Sequence, residues 1–140
     1  MLSKLWNLFA SKKTPAPLAV FSGIVVSKVL KVEKHPNADR LRVISLSDGQ
    51  RTIEPVVCGA WNFEEGAVVP LALPGATIPH DNHDPAGQPF VLGKAKIRGV
   101  ESQGMICSGK ELGLSDAGSG IIVLKNSEEL LGQTFNSSMN

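Results

Sequence analysis

Residues 94 to 114 read Lys-Ala-Lys-Ile-Arg-Gly-Val-Glu-Ser-Gln-Gly-Met-Ile-Cys-Ser-Gly-Lys-Glu-Leu-Gly-Leu. In an extended chain alternate side chains share a face, so Lys94, Lys96 and Arg98 are expected to project together, with Ala95 and Ile97 turned toward a core. Gly99 and Gly104 bracket Val100 to Gln103. Without a Cβ at either end, that segment can turn or lie close to a partner, and Ser102 and Gln103 supply hydrogen-bonding groups there. Ser108 and Glu111 have the spacing of a capping box, which predicts a short helix starting at Ser108 and stopped by Gly113.

Working outward, Phe21 to Lys34 is rich in Val and Ile and free of proline, as a long strand requires. His35 to Asp39 is turn chemistry. Arg40 to Leu46 forms a second strand, ended by the hairpin signal Ser47-Asp48-Gly49. Arg51 to Cys58 is a third strand with an irregularity expected at Pro55, and Ala67 to Leu73 a fourth. Strands are also expected over Gln88 to Ile97, Glu101 to Cys107 and Ile121 to Leu124. Many short strands with turns between them, and one short helix, point to a small all-β Greek-key barrel.

The chain has 140 residues, 42% of them hydrophobic, two tryptophans and no tyrosine. That length fits one domain, with a core resting on Val, Ile, Leu and Ala. Residues 1–20 stand apart: Leu2, Leu5, Trp6 and Phe9 recur at helical spacing, and Lys12 to Pro17 reads as a linker. The expected division is 1–20 as an amphipathic segment and linker, 21–135 as the domain and 136–140 as a tail. The first segment is read as a packing or self-association helix rather than a targeting peptide. The formal net charge is only +1, but it is segregated. Blocks 1–27, 28–42 and 94–110 are net positive; 43–93 and 111–140 are net negative. Segregation of this kind steers a polyanion more effectively than the total charge would.

Catalytic chemistry finds no support in these residues. No Ser-His-Asp constellation, phosphate-cradling glycine loop with its lysine, or His-x-Glu zinc signature is present. Cys58 and Cys107 lack metal or redox spacing and are expected as buried free thiols of a reducing, cytoplasmic compartment. His80 to Pro89 is polar and reads as an exposed loop, and its two histidines and two aspartates as solvated groups rather than metal ligands. No apolar run reaches the roughly 20 residues of a membrane span. The expectation is a binding module without cofactor or metal.

Lys96-Ile97-Arg98-Gly99-Val100-Glu101-Ser102-Gln103-Gly104-Met105 resembles the signature of tRNA-binding OB-fold domains, which occur as free-standing bacterial proteins and as the N-terminal module of the bacterial phenylalanyl-tRNA synthetase beta subunit. Glu33 to Val43, Val57-Cys58-Gly59-Ala60, Val69 to Ala76 and Cys107 to Leu114 extend the resemblance, which runs from about Phe21 to Phe135 and is closer to the synthetase version. The loop between Ile78 and Gly93 is longer than the family turn. The resemblance implies a five-stranded OB-fold Greek-key barrel with extra C-terminal strands, standing alone and without catalytic activity, and tRNA as partner. Ser102 and Met105 fall at positions that the family associates with its tRNA-facing loop. The phosphate-binding candidates are Lys94, Lys96, Arg98 and Lys110, with Arg40 and Arg42 on a shared strand face; Gln103 is a hydrogen-bonding candidate. Two readings stand side by side for the cationic row, phosphate binding or a solvated strand face, and two for Met105, RNA contact or core packing. No aromatic falls within 94–114, and only Trp61 and Phe63 lie in a candidate surface loop, which favours shape recognition over capture of a single strand. The competing function is a protein-interaction module packing on a synthetase subunit, another protein or a second copy in a homodimer. For that role the amphipathic start and Leu130 to Phe135 are the candidate contacts.

Overall fold

Strand β1, Val20–Lys34, is long enough to serve two halves of a barrel at once. Its second half pairs antiparallel with β2 (Arg42–Ser47), from Lys28 opposite Ser47 to Lys34 opposite Arg42. Its first half pairs with β4 (Val68–Ala72), from Ile24 opposite Ala72 to Lys28 opposite Val68. A register shift between Val29 and Lys31 lets the strand bend between the two partners. Gly23, at φ +81° within β1, lies where a Cβ would come within 2.9 Å of the Ala76 Cβ, so glycine suits this close approach of β1 to the segment after β4. The computed structural model describes residues 18–115 and 120–140; the amphipathic segment and linker expected at the start lie almost wholly outside them.

The sheet runs β3-β2-β1-β4-β9, with β3 at Thr52–Cys58 and β9 at Met105–Ile106. It closes on itself where the Gln103 amide donates to the Pro55 carbonyl at 2.8 Å and the Val57 amide donates to the Ser102 hydroxyl at 2.9 Å. This is a five-stranded OB-fold barrel. Two two-stranded ribbons lie between β4 and β9. One pairs β5 (Thr77–Ile78) with β6 (Phe90–Val91); the other pairs β7 (Ala95–Ile97) with β8 (Val100–Ser102). The last strand, β10 (Thr134–Asn136), returns to β1 at Val20 and Val25. β3 carries the expected irregularity as a register shift against β2 around Glu54 and Pro55.

Two apolar clusters fill the molecule. Val29, Ile44, Leu46, Val56, Val69, Leu71 and Ile106 form the first, inside the barrel. Ile24, Val26, Val68, Ala72, Ile78, Leu112, Leu124 and Phe135 form the second, beneath the C-terminal segment. Successive β4 residues alternate between the clusters, and every residue of β4 is buried.

Several expectations need correction. The strand expected over Gln88 to Ile97 is two, β6 and β7, and that over Glu101 to Cys107 is also two, β8 and β9; glycines 93 and 104 lie at the breaks. Ile121 to Leu124 contributes only a bridge from Leu124 to Val68. The capping box at Ser108 forms, with the Ser108 amide donating to Glu111 Oε1 at 2.9 Å and the Glu111 amide donating to Ser108 Oγ at 3.2 Å, yet the chain makes turns here rather than a helix. Gly113, at φ +71°, turns the chain away before a second helical turn can form. The helices among the described residues are two short 3-10 turns, Glu128–Leu130 and Ser137–Met139. Within Leu130 to Phe135, Phe135 is fully buried and Leu130 and Leu131 pack on its cluster, so the exposed part of the segment is Gly132 to Thr134. Ordered pairing continues past Phe135, since Asn136 lies opposite Val20 and the Ser137 amide donates to the Ala19 carbonyl.

Candidate nucleic-acid interface

The expected row of three cations on one strand face does not form. β7 ends at Ile97, Arg98 sits in the hairpin turn at φ +52°, and Gly99 follows at φ +89°. Two successive residues of positive φ make the tight turn whose twist matches that of paired strands. Ala95, expected to face the core, is exposed together with Lys96, because water reaches both faces of this short ribbon. Lys96 lies opposite Glu101 in the pairing register. Lys94 precedes the strand, and with Arg51, Thr52, Glu54 and Gln103 it lines a cleft of about 440 Å³.

The hairpin tip is held by the turn that follows β1. His35, only 2% exposed, receives the Asn37 amide on Nδ1 at 3.0 Å and sets Nε2 3.0 Å from the Ile97 carbonyl. An Nδ1 that accepts leaves a proton on Nε2, which donates to the Ile97 carbonyl. The Asn37 side-chain amide donates to the Arg98 carbonyl at 3.0 Å. In the sequence His35 and Asn37 read only as turn residues. Nothing in their local pattern points to partners 61 and 62 positions away.

Two expected site residues are occupied with structural work. Arg42 is 4% exposed; its guanidinium lies 4.6 Å from the ring centroids of both Trp61 and Phe63, pairs with Glu64 at 3.3 Å, and donates to the Ala60 and Phe63 carbonyls. It therefore cannot face a phosphate beside Arg40, which is exposed and lies outside β2. Ser102, 3% exposed, accepts from Val57 and donates to the Gly104 carbonyl at 2.8 Å, which makes it part of the barrel closure. Gln103 is half-buried and its side-chain amide leans on Glu101. Met105 is half-buried, packs on the second cluster, and also lines a groove of about 740 Å³ with Leu41, Trp61 and Ile97. Lys110 lies elsewhere, in a cleft of about 410 Å³ with His80 and Asp84.

What remains is a set of cations without carboxylate partners. Lys28, Lys31, Lys34 and Arg51 pair with Glu128, Glu33, Asp39 and Asp48. Among the described residues, Arg40, Lys94, Lys96, Arg98 and Lys110 make no ion pair within 4 Å. Of these, Lys96 and Arg98 belong to the clasped hairpin. Burial pushes the thiols of Cys58 and Cys107 up from their ordinary range, as inert buried groups require. No group of three or more His, Cys, Asp or Glu among the described residues is placed to hold a metal ion. None of the helices described is long and apolar enough to cross a membrane.

Comparison with known proteins places this geometry in a family. Residues 24–131 match the family model described as "Putative tRNA binding domain". The chain is also similar to proteins named phenylalanine–tRNA ligase beta subunit. It is 50% identical to that of Chlamydia caviae over 95 residues (68% of this chain, 11% of the relative). For Dechloromonas aromatica the figures are 45% over 115 residues (82% and 13%), and for Pseudomonas fluorescens 44% over 122 residues (87% and 14%). The chain thus spans a small fraction of the length of these relatives.

Proposed function

From the premise that this chain belongs to the tRNA-binding domain family, we propose that it binds tRNA without catalysing a reaction, through contacts to phosphates and to the shape of the folded RNA. The carrying observation is the β7–β8 hairpin, which presents Lys96 and Arg98, without ion pairs among the described residues, on a tip fixed by His35 and Asn37. Arg40 and Lys94 extend this cationic set, and Gln103 lines the cleft beside Lys94. Cations of this kind bind by displacing condensed counterions, so the affinity falls steeply with salt and depends little on sequence. RNA helices are read by their backbone and 2′-hydroxyls, a task for which a rigid, charged projection suffices. The setting is cytoplasmic, with tRNA as the partner.

Titration with bulk tRNA at two salt concentrations tests this reading. Binding should weaken as salt rises, and Lys96→Ala with Arg98→Ala should lower the slope of log K against log salt by up to about 2, roughly one per lost phosphate contact. Weak binding that is insensitive to both salt and substitution would reject it. A second reading, a protein-contact or dimerisation module attached to a synthetase, draws on the exposed Leu18 and Val20 next to β10. A stable dimer or partner complex without tRNA binding would favour that reading instead.

A further inference from the structure

Trp61 is 56% exposed, yet its indole is fixed at two points. Its Nε1 donates to the Arg40 carbonyl at 3.0 Å, and the Arg42 guanidinium lies 4.6 Å from its ring centroid. Arg42 is itself held by the Phe63 ring, 4.6 Å from its guanidinium, and by the Ala60 and Phe63 carbonyls, so the cation is anchored in place. Among the described residues its Nε is the buried side-chain nitrogen left without a hydrogen-bond partner, as expected of a guanidinium placed for its stacking rather than for its full set of hydrogen bonds. A large aromatic side chain of this exposure gains nothing from water on its free surface. It borders the groove of about 740 Å³ that Leu41, Ile97 and Met105 also line. Arg40, whose carbonyl holds the indole, is exposed and makes no ion pair among the described residues, and Ile97 links the groove to the hairpin that carries Lys96 and Arg98.

We propose that Trp61 is a stacking platform for one unpaired nucleobase of the bound RNA, with the groove taking the base edge and Arg40 the adjoining phosphate. The physical basis is the sandwich itself. A guanidinium against one face of an indole draws electron density from the ring, and a flat, polarisable base is the partner suited to the opposite face. Charge supports an RNA occupant over a peptide: Arg40, whose carbonyl holds the indole, carries an exposed cation suited to a nucleotide's anionic linkage, while the carboxylate on the groove, Glu111, is taken up by the Ser108 amide. This inference rests on tRNA being the partner, and it adds a contact to a single-stranded element, which the cationic hairpin by itself does not provide.

Trp6 and Trp61 are the two tryptophans of the chain, so Trp6→Phe leaves Trp61 as the sole indole reporter. In that background, bulk tRNA and an unstructured twelve-nucleotide RNA should each quench the emission along a saturable curve. Trp61→Ala should weaken tRNA binding by about 5- to 150-fold, the range for one base–aromatic stack, while Trp61→Phe keeps most of the affinity. Circular dichroism of the Trp61→Ala protein checks that the barrel is intact, and the quenching measurement needs no substitution at that position. Tight tRNA binding with unchanged emission and an unaffected Trp61→Ala variant would overturn the platform while leaving tRNA recognition in place. Quenching by the short RNA without tRNA binding would support the platform and reject the folded-RNA reading. Emission that shifts with protein concentration alone would assign the groove to a second copy of the chain and overturn the platform.

Discussion

Arg42 carries a permanent charge into a place that water barely reaches, and its neighbours make that tolerable. Two ring faces, two carbonyls and Glu64, whose side chain is 76% exposed, share the guanidinium. The pair is therefore only half desolvated, and most of what Arg42 contributes is packing and hydrogen bonding rather than Coulomb attraction. Arg42→Ala should lose the sandwich and orphan the Ala60 and Phe63 carbonyls, at a cost of about 2–4 kcal/mol, read as a lower urea midpoint. Arg42→Lys should recover little, because an ammonium cannot stack between two rings while reaching both carbonyls. The sequence held a clue to this burial: Arg42 shares its alternation phase with Ile44 and Leu46, both fully buried. Its partners, some 18 to 22 residues away in a loop of no regular pattern, could not be read from the local sequence. The same holds for Ser102 and His35, whose roles come from hydrogen bonds to distant backbone.

At the level of elements, the β7–β8 hairpin sets stability against binding. Arg98 holds a left-handed backbone at φ +52°, which costs a side-chain-bearing residue roughly 1–2 kcal/mol and which asparagine adopts more readily. Arg98→Asn should therefore raise the melting temperature, by a stabilisation of about 0.5–1 kcal/mol, while weakening tRNA binding at low salt through the lost charge. Opposite signs in two measurements on one variant would be hard to obtain if Arg98 were only a turn residue. The long strands were legible because β-branched runs and turn residues mark them: β1 to β4 lie within two residues of their expected bounds. The short ribbons were not, because a two- or three-residue strand has too little alternation to distinguish it from loop. The missing helix shows a different limit. Its capping bonds form as the sequence requires, but Gly109 packs so closely on the Ser115 hydroxyl, and Gly113 turns so early, that a cap has nothing to propagate.

For the whole molecule, the decisive feature is that one strand belongs to two interiors. The second cluster depends on a residue five positions from the last: Phe135 is fully buried, with its ring 5.7 Å from that of Phe21, partly buried against the same cluster. Phe135→Ala should cost about 3–5 kcal/mol and lower the melting temperature of the entire domain in a single transition, measurable by calorimetry. Charge segregation was legible as a pattern and the structure refines it. Most cations of 28–42 pair with nearby carboxylates, whereas those of 94–110 make no ion pair among the described residues. Which cations would pair depends on tertiary neighbours, so composition could give the sign of the patch but not its members. β4, with all five residues buried, has a side in each cluster. A fluctuation that strips away the C-terminal layer bares the face of β4 that Val68 and Ala72 present to the second cluster, while Val69 and Leu71 stay inside the barrel. The cost of such an opening is therefore set by the apolar surface of that one face, and any self-association through the opened form should use it.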